Sequence, residues 1–223
     1  MQTGWAAVEK IDWSRLFHAY GMAADTPGHL RALVSEDEAA TRDAVAHLEG
    51  AVIHQGTPWT VTPPAALVVA GLLGDPRTVR SVAEPFAVGE EPAARPLRAI
   101  LLDFLAEVAE AAQPDVPEEE LRAAAYPHGR ERDIADLAAR MFAGGEEDED
   151  DEDGNDEGDW DEEVADAAIA QAMLELRVIA PALIGPVSAR LGDDDPRVRS
   201  SAAEALAAIT EITSPVVDSA GSS

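Results

Sequence analysis

Alanine narrows the possible folds more than any other feature of this chain: 44 of the 223 residues are Ala, leaving 59 larger apolar side chains to build a core. A methyl group fills little space, so a thick sheet core is disfavoured, whereas helix axes faced with Ala approach closely. Ala, Leu, Glu and Arg dominate the chain and are strong helix formers, and Val, Ile and Thr are not gathered into alternating runs. The expected fold class is all-α.

Charge then removes several functions. With 16 basic against 44 acidic residues the formal charge is −28, so DNA, RNA and anionic membrane surfaces are expected to repel the chain. No apolar run is expected to reach the ~18 residues a spanning helix needs, and the opening residues lack a signal-peptide pattern. A soluble, cytoplasmic protein is expected. The absence of Cys removes disulfides, thiolate nucleophiles and zinc–thiolate sites. The single Lys, Lys10, stands near the N-terminus, where no P-loop or Schiff-base chemistry would place it, and the G-x-S-x-G, H-E-x-x-H and G-x-G-x-x-G fingerprints do not occur. Neither a cofactor nor a metal ion is expected.

Helix punctuation is dense. Asp12 caps an expected helix that Gly21 stops, and Thr26-Pro27 opens a short one through Val34. Ser35 with Glu38 forms a capping box for a helix running to about His54. Thr62 is expected to cap a helix that begins at Pro63-Pro64 and carries Leu67, Val68, Leu72 and Leu73, and Gly74-Asp75-Pro76 is expected to start another containing Val79, Val82 and Phe86. A wide apolar stripe, Leu97, Ile100, Leu101, Phe104, Leu105 and Val108, marks a long helix over 92–112. Helical patterns follow over 118–125, 130–142 and 160–191, the last with a bend expected near Pro181 or Pro186. Asp195-Pro196 opens a final helix to about Ile212.

Part of this punctuation repeats. The window from Leu33 to Leu48 lies over that from Leu191 to Leu206 without a gap, and Asp75-Pro76-Arg77-Thr78-Val79-Arg80 matches Asp195-Pro196-Arg197-Val198-Arg199 with one extra residue. The shared unit is an acidic turn, Pro at the first helical position, then Val-Arg and an Ala/Leu-rich helix. At Asp194 to Arg199 and Ala202 to Leu206 this unit resembles the HEAT repeat, and the chain from His18 to Thr57 is similar to HEAT-like proteins of GC-rich bacteria, an origin that 15 Arg to one Lys also fits. The resemblance implies an α-solenoid of stacked antiparallel helix pairs. It also implies a ladder in which Arg80 and Arg199 reach the Asp of neighbouring repeats; an anion site built from Arg77, Arg80, Arg95 and Arg98 is the alternative. The expected organisation is HEAT-like repeats over 1–143, a disordered acidic loop over 144–160, further HEAT-like helices over 161–213 completing the same domain, and a disordered tail over 214–223.

The acidic segment holds 14 carboxylates between positions 144 and 163 and no basic residue. Such density is expected to stay solvated; the alternative is an arm, including Asp150, Asp151 and Asp153, that docks a basic partner. An EF-hand register with Gly158 at its sixth place puts Val164 where the bidentate Glu belongs, so calcium is not expected. His47 and His54 are seven apart with no carboxylate completing a metal set. His18, Tyr20, His54, Gln55 and Trp59 lie near expected helix ends, where loops of a solenoid line one edge. His54, Gln55 and Trp59 are the candidate partner-binding residues there. His18, Tyr20 and His54 are the acid–base candidates if the protein is an enzyme. The expected function is a HEAT-like scaffold for a protein partner, regulatory or toxin-neutralising and without catalysis of its own. The alternative is a subunit of a HEAT-like enzyme performing lyase or elimination chemistry in specialised metabolism.

Overall fold

The computed structural model describes residues 2–83, 85, 94–112, 115–127, 134–143 and 162–213. It is mostly helical, as expected. The helices are α1 (Thr26–Ala32), α2 (Glu38–His47), α3 (Thr62–Leu72), α4 (Leu97–Ala111), α5 (Glu118–Ala125), α6 (Ile134–Ala143), α7 (Glu162–Ser188) and α8 (Pro196–Thr213). Among the described residues three short antiparallel ladders join them: β1 (Phe17–His18) with β2 (Gly21–Met22), β3 (Ile53–His54) with β4 (Thr57–Pro58), and β5 (Ser81–Ala83) with β6 (Ala94–Pro96).

Alanine acts as the composition implies. α3 buries every residue except Gly71, as a helix that is apolar all round must. Its C-terminal half meets the N-terminal segment so closely that a Cβ on Gly71 would lie 2.3 Å from the Gly4 Cα, and the Gly4 N–H donates to the Leu67 carbonyl at 2.7 Å. α3 packs on α7, α4 makes its most extensive contact with α8, and α7 packs on α8. The α4 stripe supplies the centre of the core, with Leu97, Leu101, Leu102, Leu105 and Val108 wholly buried. α1 pairs with α2, while α5 and α6 lie along α7.

One buried guanidinium ties these layers together. Arg98 of α4, 7% exposed, donates from Nη1 to Asp193 at 2.7 Å, from Nε to the Thr78 hydroxyl at 3.1 Å and from Nη2 to the Asp75 carbonyl at 3.2 Å. It thereby joins the turn after α3 to the turn before α8. The expected ladder takes another form. Arg80 donates to the carbonyls of Ser35 and Leu33 and to the Thr41 hydroxyl, and Arg199 to the carbonyls of Asp193 and Asp194. Backbone oxygens, rather than carboxylates of neighbouring repeats, are their main partners. Arg77 is held by Asp75 and Arg95 by Asp103, so the four arginines of the alternative anion site serve separate structural contacts.

Several element boundaries differ from expectation. Asp12 accepts the Ser14 N–H but caps only a 3-10 turn (Trp13–Arg15), after which β1 begins. The cap of α2 is Asp37, which accepts the N–H groups of Ala39 and Ala40, while Ser35 accepts the Asp37 N–H. α2 ends at His47 in a π-helical turn (Leu48–Val52), and His54 lies on a strand. The helix expected after Pro76 is a 3-10 turn (Pro76–Val79) followed by β5. α7, by contrast, lies within the expected 160–191 and contains both Pro181 and Pro186. It is also long and apolar enough to cross a membrane by length and composition, contrary to expectation; Glu175 and Arg177 stand within its apolar stretch, half of which is buried within the protein. The acidic segment over 144–161 and the tail over 214–223, with the disorder expected of them, lie outside the described residues.

Candidate functional site

The two N-terminal hairpins build a histidine-rich edge. In the first, Phe17 pairs with Met22 and His18 with Gly21, leaving Ala19 and Tyr20 as a two-residue turn. In the second, Gln55 and Gly56 form the turn with φ of 52° and 76°, the double positive φ that matches the twist of tight hairpins. The hairpins lock together through the Ala19 N–H on the Ala51 carbonyl at 3.2 Å and the Phe17 N–H on the Thr60 hydroxyl at 3.0 Å. This brings Tyr20 onto His54, with ring centroids 5.4 Å apart and the phenol oxygen 3.3 Å from Nδ1. His54 Nδ1–H donates to the Gly50 carbonyl at 2.9 Å, so in the neutral ring Nε2 carries the lone pair.

Behind Tyr20 three further imidazoles meet. His18 stands edge-on to His47 with centroids 5.2 Å apart, and His29 of α1 stacks on His47 at 4.1 Å with 9° between the planes. The Tyr20 N–H donates to His18 Nδ1 at 3.1 Å, which leaves the ring proton on Nε2, 3.4 Å from Asp25 Oδ1. His29 Nε2 is 4.0 Å from the other Asp25 oxygen, and His47 Nε2 is 2.9 Å from the hydroxyl of fully buried Thr26. Donor atoms of His18, Asp25 and His47 all lie within 4.8 Å of one another, an N,N,O set capable of holding a metal ion.

Burial governs the electrostatics. It pushes His18 below the ordinary imidazole value against the opposing pull of Asp25, and it brings His47 down to about 4, with the charge of His29 acting in the same direction. For Asp25, burial acts to raise the carboxyl, but the charges of His47 and His18 and local hydrogen bonds leave it below the usual range. With His18 and His47 uncharged at neutral pH, the His18–Asp25 contact there is a hydrogen bond from Nε2–H.

Of the residues singled out from sequence, His18, Tyr20 and His54 converge, and Gln55 stands exposed at the tip of its turn. Trp59 does not share their edge: it is 6% exposed and packs against Phe17 with centroids 6.1 Å apart, so it belongs to the core. Asp150, Asp151 and Asp153 lie outside the described residues. Sequence reasoning missed Asp25, Thr26, His29 and His47. The available signal was the crowding of four of the five histidines between positions 18 and 54. His47 and His54 have different partners because the π-helical turn and β3 intervene.

Comparison with known families gives one match, the HEAT repeat over residues 183–213, which spans the end of α7 and all of α8. The protein is thus a mainly helical chain in which residues 183–213 match the HEAT repeat, a helical repeat that commonly mediates protein interactions. No curated protein and no solved structure matches it.

Proposed function

We propose that the protein is a non-catalytic HEAT-like α-solenoid scaffold that binds a protein partner with a basic surface, of the regulatory or toxin-neutralising type. The observation that carries this reading is the packing of α3 on α7 and α4 on α8 beside a HEAT match that covers the α7–α8 turn. Helix pairs that bury one another in this way leave turns and outer helix faces for a partner. A formal charge of −28 favours a basic partner, because complementary charge speeds encounter. His54 and Gln55, with Tyr20 67% exposed beside them, form the proposed contact edge. The acidic segment with Asp150, Asp151 and Asp153 forms the docking arm, inserted between repeats over 1–143 and 161–213. A cytoplasmic address away from membranes and nucleic acid, in a GC-rich bacterium, belongs to the same proposal and rests on composition.

The test is co-expression with the products of neighbouring genes, followed by association kinetics. A stoichiometric complex is expected, and it should form more slowly at low salt once residues 146–159 are replaced by a Gly/Ser linker. The difference should vanish near 1 M salt, where the Debye length is about 3 Å. A complex whose association rate ignores both salt and the linker would contradict the basic partner.

A second reading, an enzyme subunit with lyase or elimination chemistry, draws on the Tyr20–His54 contact, which sets a phenol beside an imidazole with a lone pair on Nε2. It requires that Tyr20→Phe and His54→Gln abolish turnover by the assembled complex while leaving assembly intact. Unchanged turnover in both variants removes this reading.

A further inference from the structure

We propose that His18, Asp25 and His47 bind one divalent first-row transition-metal ion of the zinc class. The three donors come from three separate places in the fold: β1, the residue preceding α1, and the last residue of α2. They nevertheless lie within 4.8 Å of one another. The separation of 3.4 Å between His18 Nε2 and Asp25 Oδ1 is about the edge of a tetrahedron of donors with bonds of ~2.1 Å. Two imidazoles and one carboxylate suit zinc, cobalt, nickel or iron rather than calcium or magnesium, which prefer all-oxygen cages.

Access and charge agree with this assignment. The Asp25 side chain is 54% exposed while that of His18 is 8% exposed, so an ion enters from the carboxylate side and keeps a water-filled position, as three-ligand sites do. Among the described ion pairs Asp25 faces only imidazoles, His18 and His29, and a dication supplies the positive charge that no guanidinium brings. His29, stacked on His47 and 4.0 Å from the second Asp25 oxygen, stands as an outer neighbour that orients the set. For His18 the proton account closes: the metal takes Nε2, the ring proton is carried on Nδ1 instead, and the Tyr20 N–H now bonded there turns to water on its exposed turn.

The 11 carboxylates between positions 146 and 159 can offer a dication oxygen donors alone, so the test must read nitrogen ligation. Chelator-treated full-length chain is titrated with Co2+ in excess Mg2+ and followed by visible ligand-field absorption; Zn2+ is then added and the imidazole resonances are followed by NMR. One equivalent of Co2+ is expected to give an intense low-coordinate spectrum that Zn2+ displaces. Asp25→Asn, at an exposed position that leaves the fold in place, should weaken binding by about 10–100-fold or more; His47→Gln should abolish the band, and His54→Gln should leave it unchanged. Absence of the band in the wild type overturns the site, as does equal affinity in Asp25→Asn. If His47→Gln fails to fold, the wild-type resonances decide: Zn2+ must shift the rings of His18 and His47, and a titration that leaves them in place overturns the site.

Discussion

At Asp75-Pro76-Arg77 and again at Asp195-Pro196-Arg197 the aspartate accepts the arginine N–H, at 2.9 and 2.8 Å, and clasps the same guanidinium, at 2.6 and 2.8 Å. The first turn nevertheless leads through one 3-10 turn into a strand, and the second opens an 18-residue helix. The residues C-terminal to each turn make the difference. Thr78, Val79 and Val82 are β-branched and Pro85 closes the segment, whereas Ser200 to Ala208 is rich in Ala and free of Pro. β-branched side chains lose rotamer freedom in a helix, and proline removes a donor and clashes with the preceding turn. An acidic turn therefore marks where an element can begin, and the composition behind it decides whether a helix forms. The irregular N-terminal region, with its hairpins and π-helical turn, holds the histidine cluster; the regular C-terminal pair holds the HEAT match.

The largest effect is expected in α4, which packs on the regular C-terminal end. Leu101 is wholly buried, and Leu101→Ala should cost about 2–5 kcal/mol in denaturant unfolding; a loss below about 0.5 kcal/mol would make α4 peripheral. Next in size, Glu204→Pro writes into α8 a proline corresponding to Pro85 and should cost about 3 kcal/mol or more, with helix content falling in far-UV circular dichroism. Retention of the full α8 amide protection in that variant would show that proline is not what separates the two turns. Asp195→Ala should lower the melting temperature more than Asp75→Ala, since one cap serves a long helix and the other a single turn. Equal shifts would reduce both to surface contacts.

The smallest expected effect sharpens the contrast between the two regions through pH. His47 is held at about 4 and His18 below its ordinary value, so the unfolded chain binds more protons than the folded one between about pH 6.5 and 4. Their contribution is fully present above about 6.5 and is lost as the pH falls toward 4. In chelator-treated protein, protection of amides around α1 and α2 should decline over that range before protection in α8. A uniform decline, or His47 titrating near 6.5 by NMR, would contradict the burial of the cluster.

Long elements are legible in the sequence because many residues vote for one period. α5 covers the expected 118–125, α8 opens at its Asp-Pro signal, and the α4 stripe is buried as its spacing implies, whereas Thr62, expected as the cap of α3, is its first residue and makes no side-chain cap. The ladders of two or three residues are not legible, since so short a strand has no period to read, and the Thr-Val-Arg-Ser-Val segment reads as part of the helix that its acidic turn announces. At the candidate site, His18, Tyr20 and His54 are recognisable as polar groups near element ends. Asp25, His29 and His47 are not, because their meeting depends on how β1–β2 docks against α1 and the end of α2, which is a long-range packing result with no local signature.

The turn after α3 and the turn before α8 are joined, through α4, by the buried Arg98–Asp193 pair, whose side chains are 8% and 13% exposed. A double-mutant cycle with Arg98→Met and Asp193→Asn, read by denaturant unfolding, decides whether this pair couples them. Each single change is expected to destabilise strongly, because it leaves a buried charge or donor without its partner. The coupling energy should lie between about 1 and 3 kcal/mol. Additivity within about 0.3 kcal/mol would mean that the two turns are stabilised separately and would contradict a structural link through Arg98.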